Sequence, residues 1–427
     1  MDIQIDKVKK LHGTIILPGD KSISHRSLMF AAAANGISEI TGLSSSKDVQ
    51  STAQCLQQLG VRIWSKDQKT LVEGKGIYGF SKPKNILDAG NSGTTIRLLS
   101  GMLVGQKFES VITGDNSLKS RPMKRIIEPL RTMGANIEGE SGGFAPLRIK
   151  PGNLFAIHHQ LKIASAQVKS CLLLAGMFAP GTTIVSEPSP SRDHTEKLLA
   201  YLGAEIQEGN SMVKIAGHPN LTARPIVVPG DISSAAFFLV AALLIPDSHL
   251  VIKDIGLNPT RTGVLDVLTE MGAPISIKNQ RIQNNEKSGD IVISHGRLRS
   301  TDIQGVLIPR IIDEIPVLAV AATQAAGRTI IRDANELRVK ESDRIKSAVE
   351  NLQAMGAAIT ELEDGMVIEG DQQLRGAAIN SYNDHRIAMA FGVAGLIAQG
   401  KTLIHQAECT EISHPQFFEQ LRNLSND

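Results

Sequence analysis

One pattern of about 70 residues recurs six times along this 427-residue chain, and it restricts the possible folds more than any other feature. Each copy contains a strand, a polar turn with Gly or Ser, an apolar helix of small residues, a second strand and a second helix. Common solenoid repeats run roughly 20–47 residues, so units of this length favour compact lobes over a solenoid. The turns that open the first helices read PGDKS (18–22), AGNSGTT (89–95), ASAQVKS (164–170), PGDIS (229–233), IDEIP (312–316) and NDHRIA (383–388).

The second helix of each copy ends in a recurring way. Five copies carry Leu, two further residues, Leu or Met, and then Gly, which predicts a helix closed by a C-terminal glycine. Short β-branched segments such as TTIVS (182–186) and RTIIR (328–332) predict strands after the first helices. Helices and strands in this alternation predict an α/β or α+β fold with helices covering sheets.

The turn Pro-Gly-Asp occurs twice, at 18–20 and at 229–231, each time after a β-branched segment. The chain therefore divides into two halves of three copies each. Because Pro-Gly pairs interrupt regular structure, the sequence predicts that the hinge between two domains lies at these junctions. Two domains are also the expectation for a chain of this length.

Composition excludes several classes of function. The net charge is only +2, and one Trp and three Tyr leave few rings for stacking on bases, so a nucleic-acid partner is not expected. The apolar run 235–246 is shorter than the ~20 residues that span a bilayer, and residues 1–10 lack the apolar core of a secretory signal. We therefore expect a soluble cytoplasmic protein without a membrane partner.

The three cysteines, Cys55, Cys171 and Cys409, form no CxxC pair, and two of them lie in apolar helical patterns. They are interpreted as buried thiols in a reducing compartment rather than as catalytic groups. The sequence contains no Cys/His spacing typical of a structural metal site, so no tightly held metal is expected.

Cationic and polar side chains concentrate at the helix-opening turns. The first turn of a helix exposes unpaired N–H groups and a positive dipole end, which favours anions. The loops 116–130 and 336–345 add further Lys and Arg, and arginine suits bidentate binding of phosphate or carboxylate. If equivalent turns of the repeats converge, the sequence predicts a substrate with several anionic groups.

Asp313 allows two interpretations. It stands near a helix start between apolar residues, so it could be an N-cap. Alternatively, it could be a general base that surrounding cations keep ionised. The sequence leaves both open. The acidic residues of 336–345 could likewise be ordinary partners of cations on an exposed helix.

With these residues assembled, the chain closely resembles the 5-enolpyruvylshikimate-3-phosphate synthase family over essentially its full length. The matching segments are PGDKSISHRSLMFAA, LDAGNSGTTIRLLSG, DNSLKSRPMKRIIEPL, SAQVKSCLLLAG, RVKESDRI and NDHRIAMA. The resemblance implies two similar domains, each of three βαβαββ-type repeats in an inverse α/β barrel, joined by a two-strand hinge that closes over substrate. The N-terminal domain would be 19–229, and the C-terminal domain would combine 1–18 with 230–427.

The resemblance also implies a reaction. Phosphoenolpyruvate would transfer its enolpyruvyl group to the 5-hydroxyl of shikimate 3-phosphate and release phosphate, by addition and elimination through a tetrahedral intermediate. The family does this in aromatic amino-acid (chorismate) biosynthesis without a metal or organic cofactor, and we expect the chain to act as a monomer.

Each expected site residue follows from a matching motif. Lys21, Ser22 and Arg26 would hold shikimate 3-phosphate, with Lys21 also touching phosphoenolpyruvate. The other residues expected to bind phosphoenolpyruvate are Asn91, Gly93, Arg121, Arg344 and Arg386, and those expected to bind shikimate 3-phosphate are Ser165, Gln167 and Lys340. Asp313 would deprotonate the 5-hydroxyl, and Glu341 with Lys21 would move the proton at the methylene carbon. The resemblance leaves open which of Asp313 and Glu341 is the base in each step.

The chain departs from the family at two places. Many members have Ser-Ser-Gln where this chain has Ser165-Ala166-Gln167, and some place a lysine before the Pro-x-x-Phe segment, which is absent from 409–418. Two alternatives stay open. A UDP-N-acetylglucosamine enolpyruvyl transferase typically has a reactive Cys where this chain has Asn116. A non-catalytic protein that binds phosphorylated metabolites would not need Asp313 and Glu341.

Overall fold

The computed structural model describes residues 1–209 and 211–425. The chain forms two compact units. Unit 1 comprises Met1–Pro18, Pro229–Arg281 and Lys287–Asp427, and unit 2 comprises Gly19–Val228 and Ile282–Glu286. The chain passes between the units beside both Pro-Gly turns and again around 282–286, a passage that no turn motif marked. Each unit has its own continuous apolar core.

The chain begins with two strands of unit 1, β1 (Ile3–Ile5) and β2 (His12–Ile16). Unit 2 then contains three copies of the repeat. The first copy consists of α1 (Lys21–Ala33), β3 (Asn35–Thr41), α2 (Lys47–Gln58), β4 (Arg62–Lys66) and β5 (Lys69–Lys75). The second consists of β6 (Leu87–Asp88), α3 (Gly93–Leu103), β7 (Ser110–Thr113), α4 (Asn116–Lys119), α5 (Lys124–Thr132), β8 (Asn136–Glu140) and β9 (Phe144–Lys150). The third consists of β10 (His158–Gln160), α6 (Ala166–Gly176), β11 (Thr182–Ser186), α7 (His194–Leu202), β12 (Ile206–Gly209), β13 (Met212–Ala216) and then β14 (Ile226–Val227).

Unit 1 continues with three further copies. The fourth consists of α8 (Ile232–Leu244), β15 (His249–Gly256), α9 (Gly263–Glu270), β16 (Ile275–Gln283) and β17 (Glu286–Ser294). The fifth consists of β18 (Asp302–Ile303), α10 (Ile308–Ile311), α11 (Ile315–Ala322), β19 (Arg328–Ile331), α12 (Arg344–Ala354), β20 (Ile359–Leu362) and β21 (Gly365–Glu369). The sixth consists of β22 (Ala378–Asn380), α13 (His385–Ile397), β23 (Thr402–His405) and α14 (Phe417–Ser425). Short 3₁₀ turns occupy Gly305–Leu307, Asn335–Val339 and Ala407–Ile412.

The sheets confirm the βαβαββ repeat. In the second copy β6 runs parallel to β7, and β7, β9 and β8 continue antiparallel. The third and fifth copies repeat this order. The predicted glycine ends of the second helices are also present: Gly60 and Gly203 follow α2 and α7 with φ of 86° and 106°.

Two copies take their first strand from elsewhere in the chain. The strand before the first Pro-Gly turn, β2, pairs with β15 of the fourth copy, and the strand before the second, β14, pairs with β3 of the first copy. The sixth copy differs from the expected repeat. Its described sheet has three strands, because β1 pairs antiparallel with β23 where the other copies have a hairpin.

Three helices form the centre of each unit. They are α1, α3 and α6 in unit 2, and α8, α11 and α13 in unit 1, and nearly all of their residues are buried. Small side chains let such helices approach one another on several faces, which explains why their sequences are apolar all round. Most of the candidate site residues lie at the N-terminal ends of these central helices, whereas Arg121 lies between α4 and α5, and Lys340, Glu341 and Arg344 lie at or just before the start of α12.

Candidate active site

Side chains cap five of the six central helices. In each, the residue before the helix accepts a hydrogen bond from a backbone N–H of the first turn. The capping residues are Asp20, Ser92, Ser165, Asp231 and Asp384. The exception is α11, whose preceding residue, Glu314, makes no such bond. The caps fix the start of each helix, and therefore fix where the charged residues beside it lie.

In unit 2, Arg26 joins the second turns of α1 and α6. It is 3% exposed. Its Nη2 donates to Ser170 Oγ at 2.9 Å, its Nε to Thr195 Oγ1 at 2.7 Å, and its Nη1 to the carbonyl of Ser22 at 2.9 Å. These acceptors carry no charge. Burial is the main cause that lowers the pKa of the Arg26 guanidinium to about 10; the nearby carboxylate of Glu196 opposes this shift, and the charge of Arg192 adds to it. Because the hydrogen bonds of Arg26 go to neutral groups, its guanidinium is a candidate to bind an anion.

Lys21 lies at the start of α1, where its Nζ is 3.1 Å from the carboxylate of Asp48. The ammonium group is 17% exposed, so it is partly open to solvent. A lysine in this position can act as a point charge and as a proton donor.

A second group surrounds the start of α3. Asn91 donates through Nδ2 to Asp115 at 2.8 Å and accepts through Oδ1 from Arg121 Nη2 at 2.7 Å. A Cβ on Gly93 would lie 2.7 Å from Arg97 Nη1 and 3.5 Å from Arg121 Nη1. The glycine therefore allows two guanidinium groups to approach the helix end closely, and these three predicted residues lie together.

The start of α6 meets the same group. Gln167 accepts through Oε1 from Arg97 Nη1 at 2.6 Å and donates through Nε2 to Thr94 at 3.1 Å. Ser165 caps the helix, because its Oγ accepts a hydrogen bond from the backbone N–H of Val168 at 3.5 Å. The first turns of α3 and α6 are therefore adjacent in unit 2.

Several charged residues of unit 2 were not included in the expected site. Lys169 is buried on α6 and contacts Glu187 at 2.7 Å and Glu196 at 2.8 Å. Burial alone would lower the pKa of Lys169, but the two carboxylate charges raise it, while burial raises the pKa of Glu196. Arg97 and Arg192 were also left out. A lysine inside the apolar stretch SAQVKSCLLLAG was the available signal for Lys169.

In unit 1, Arg344 gathers three carboxylates around one buried guanidinium. It is 2% exposed. Its Nε is 2.8 Å from Asp384, its Nη1 is 3.1 Å from Asp313, and its Nη2 is 2.7 Å from Glu341. Burial opposes the charge of Arg344, but these three carboxylates outweigh that effect and raise its pKa. The two carboxylates expected to move protons are thus held by the same arginine.

The interpretation of Asp313 as an N-cap was wrong. Helix α11 begins after Glu314, so Asp313 lies one residue before the cap position. Its carboxylate instead faces Arg344, and its other oxygen is 3.9 Å from Arg261 Nη1.

Arg386 is a buried cation in the first turn of α13. It is 5% exposed, and its Nε and Nη1 have no hydrogen-bond partner among residues 1–209 and 211–425. Its guanidinium lies 5.9 Å from the centre of the Phe237 ring. Since a buried charge without a hydrogen-bond partner is unfavourable, this position favours binding of an anionic group.

Lys340 lies apart from the carboxylates on Arg344. Its Nζ is 2.9 Å from Glu336, one helical turn earlier, and the side chain is 21% exposed. The i,i+3 pairing expected for Glu341 is present with Arg344, but that arginine is buried rather than on an exposed helix face, and Asp343 pairs with Arg338 at 2.8 Å.

The three cysteines are free and buried, as predicted. Burial raises the pKa of each thiol to about 12. Within the described residues, no group of three or more His, Cys, Asp or Glu side chains could hold a metal ion. Across the same part of the chain, every helix is too short or too polar to cross a membrane.

Comparison with known proteins gives consistent matches. A family model described as EPSP synthase (3-phosphoshikimate 1-carboxyvinyltransferase) matches residues 5–421. A 3-phosphoshikimate 1-carboxyvinyltransferase from Thermoanaerobacter sp. (strain X514) is 51% identical over 419 residues, covering 98% of this chain and 99% of that protein. One from Salinibacter ruber is 51% identical over 428 residues, covering 99% of each. The solved EPSP synthase from Acinetobacter baumannii superposes with a TM-score of 0.89 at 42% identity, covering 99% of this chain and 98% of that one.

Proposed function

This chain belongs to the EPSP synthase family, and from that membership we infer its reaction. It is a transferase that moves the enolpyruvyl group of phosphoenolpyruvate to the 5-hydroxyl of shikimate 3-phosphate and releases phosphate. The reaction belongs to the shikimate pathway. The roles of individual residues are proposals, supported chiefly by the two carboxylates that Arg344 holds together.

We propose that the cations at the helix starts bind the anionic groups of the two substrates. Lys21, Ser22 and Arg26 bind shikimate 3-phosphate, as do Ser165, Gln167 and Lys340, and Lys21 also contacts phosphoenolpyruvate. The neutral acceptors around Arg26 support this, because its charge is not already compensated by a carboxylate within hydrogen-bond distance. The residues proposed to bind phosphoenolpyruvate are Asn91, Gly93, Arg121, Arg344 and Arg386. The unsatisfied donors of buried Arg386 support an anionic ligand there.

We propose that Asp313 takes the proton of the 5-hydroxyl as its oxygen attacks C2 of phosphoenolpyruvate. The methylene carbon gains a proton from Lys21 or Glu341, which gives a tetrahedral intermediate. The C–O bond to phosphate then breaks, and the methyl carbon returns a proton, which restores the double bond. General acid–base catalysis of this kind requires groups that ionise at working pH and lie within reach of the substrate.

We propose that the protein acts as a monomer. We also propose that the two compact units are the two domains of the family. Three free thiols support a reducing, cytoplasmic location, and the near-zero net charge supports a role without nucleic acid or membrane. Analytical ultracentrifugation tests the monomer, since a dimer at micromolar concentration would contradict it.

Release of inorganic phosphate from phosphoenolpyruvate tests the reaction directly. We expect release with shikimate 3-phosphate and none with UDP-N-acetylglucosamine. Release only with UDP-N-acetylglucosamine would instead indicate a UDP-N-acetylglucosamine enolpyruvyl transferase. Binding of both substrates without release by folded protein would support the non-catalytic alternative.

Thiol alkylation should leave this activity intact. Cys55, Cys171 and Cys409 are buried, and their raised pKa keeps them protonated at neutral pH, so reaction with iodoacetamide is slow. Turnover after an hour of treatment is expected to equal that of untreated enzyme. Rapid inactivation that either substrate prevents would contradict this and would favour a cysteine-dependent mechanism.

A further inference from the structure

Arg261 is a buried arginine just before α9 that no sequence motif had indicated. It is 3% exposed. Its Nη2 donates to Ser233 Oγ at 2.7 Å and lies 3.3 Å from Asp231 Oδ1, both at the start of α8. A buried guanidinium normally persists only where its charge and hydrogen bonds are compensated. Arg261 is therefore fixed to the first turn of α8.

From this anchor, Arg261 reaches the proposed base. Its Nη1 is 3.9 Å from Asp313 Oδ2, and the other oxygen, Oδ1, is 3.1 Å from Arg344 Nη1. Each oxygen of Asp313 thus faces a different buried guanidinium. At such distances, an opposite charge stabilises the ionised carboxylate.

A second connection runs through Ser233. Its hydroxyl accepts from Arg261 and donates to the carboxylate of Glu314, the residue next to Asp313 and only 1% exposed. Arg261 consequently forms an ion pair with Asp313, and it is linked to the neighbouring Glu314 through the hydroxyl of Ser233. Together, Arg261 joins the starts of α8 and α11, and Arg344 joins those of α11 and α13.

Carboxylates outnumber cations around these helix starts, so each arginine matters to the ionisation of Asp313. Asp231 already offsets part of the charge of Arg261. Burial lowers the pKa of His414 to about 4, so that ring is neutral at working pH. The charged and titratable groups here are Asp231, Arg261, Asp313, Glu314, Glu341, Arg344, Asp384, His385, Arg386 and His414.

We propose that Arg261 is a positioning residue that keeps the carboxylate of Asp313 ionised and correctly oriented for the enolpyruvyl transfer. This rests on the proposed role of Asp313 as the base. Arg261 acts through Asp313, so its loss should affect turnover more than substrate binding.

The first test compares Arg261→Gln with Arg261→Lys. We expect the glutamine variant to lower kcat about 10–100-fold, as loss of an orienting partner does elsewhere, with smaller changes in both KM values. Without the cation the carboxyl holds its proton more tightly, so the acidic limb of the pH–rate profile should move to higher pH. The Arg261→Lys variant keeps the positive charge, so its acidic limb should lie at the same pH as that of the native enzyme. Arg328→Gln is the control, because Arg328 lies in the same unit but pairs with Glu369 at 2.7 Å, where both side chains are largely exposed; it should leave kcat and the acidic limb unchanged.

The second test separates a positioning role from a merely structural one. In an Asp313→Asn background, adding Arg261→Gln should cost no further turnover, since the group it acts through is gone. The proposal would be overturned if Arg261→Gln lowered turnover by the same factor in the Asp313→Asn background as in the native enzyme. It would also be overturned if Arg261→Gln alone left kcat and the pH profile unchanged. If Asp313→Asn itself retained full turnover, the assignment of the base would fail instead.

Should Arg261→Gln not fold, Ser233→Ala removes the link to Glu314 while keeping the charge of Arg261. It should lower kcat without moving the acidic limb, and unchanged kcat would count against the link.

Discussion

Asp313→Asn is expected to lower kcat by about 10²–10⁴-fold while both substrates still bind, because it removes the proposed general base. The asparagine oxygen can still accept from Arg344, so the surrounding structure should persist. Calorimetric titration with shikimate 3-phosphate should give an affinity close to that of the native enzyme. Steady-state phosphate release then isolates the loss in the chemical step.

Two comparisons make this result specific. Asp266→Asn removes an exposed carboxylate of the same unit and should leave kcat unchanged. Glu341→Gln keeps Asp313 but alters the second carboxylate on Arg344, so its effect reports the separate proton transfer at carbon. Native turnover in Asp313→Asn, with Glu341→Gln inactive, would show that Asp313 is not the base and would make Glu341 the candidate for that role.

Arg344→Gln should produce the largest loss of stability. Three carboxylates share this guanidinium, and removing one partner of a buried ion pair costs about 3–5 kcal/mol because the remaining charges stay buried. We expect a lower midpoint of urea denaturation and almost no turnover, since Asp313 and Glu341 lose their common anchor. Fluorescence or circular dichroism during urea titration measures the first effect.

An exposed pair in the same unit provides the control for stability. Arg328 lies 2.7 Å from Glu369, but both side chains are largely open to water, where such pairs contribute little. Arg328→Gln should unfold at the same urea concentration as the native protein. If Arg344→Gln also did so, the carboxylates would have to be compensated by other groups, and its role as their anchor would be wrong.

The sequence predicted those parts of the fold that local patterns determine. Glycine at the ends of the second helices, β-branched strands and small-residue central helices each depend on a few neighbouring residues, and the structure has them. The pairing of β2 with β15 and of β14 with β3 could not be predicted from spacing, because it joins residues far apart in the chain. Similarly, the 282–286 segment of unit 2 carries no signal beyond a polar turn.

The site divides in the same way. Residues within one motif, such as Asn91 and Gly93, could be predicted because the motif contains them, and both lie beside Arg121 in the structure. Asp313 was ambiguous, because a helix cap and a catalytic base use the same side chain. The start of α11 after Glu314 excludes the cap, and the contact with Arg344 supports the proposed base. Arg261 and Lys169 were missed, since a single buried cation becomes recognisable only when its partners from other segments are known.

Strands β1 and β2 complete sheets of unit 1 with strands from much later in the chain, and this bears on the order of events during synthesis on the ribosome. Everything up to Val228 in unit 2 is available early, and N-terminal domains generally fold as they emerge. By contrast, β2 must wait for β15, and β1 must wait for β23, which follows it by almost the whole chain. Strands β1 and β2 are therefore translated well before the strands with which they pair.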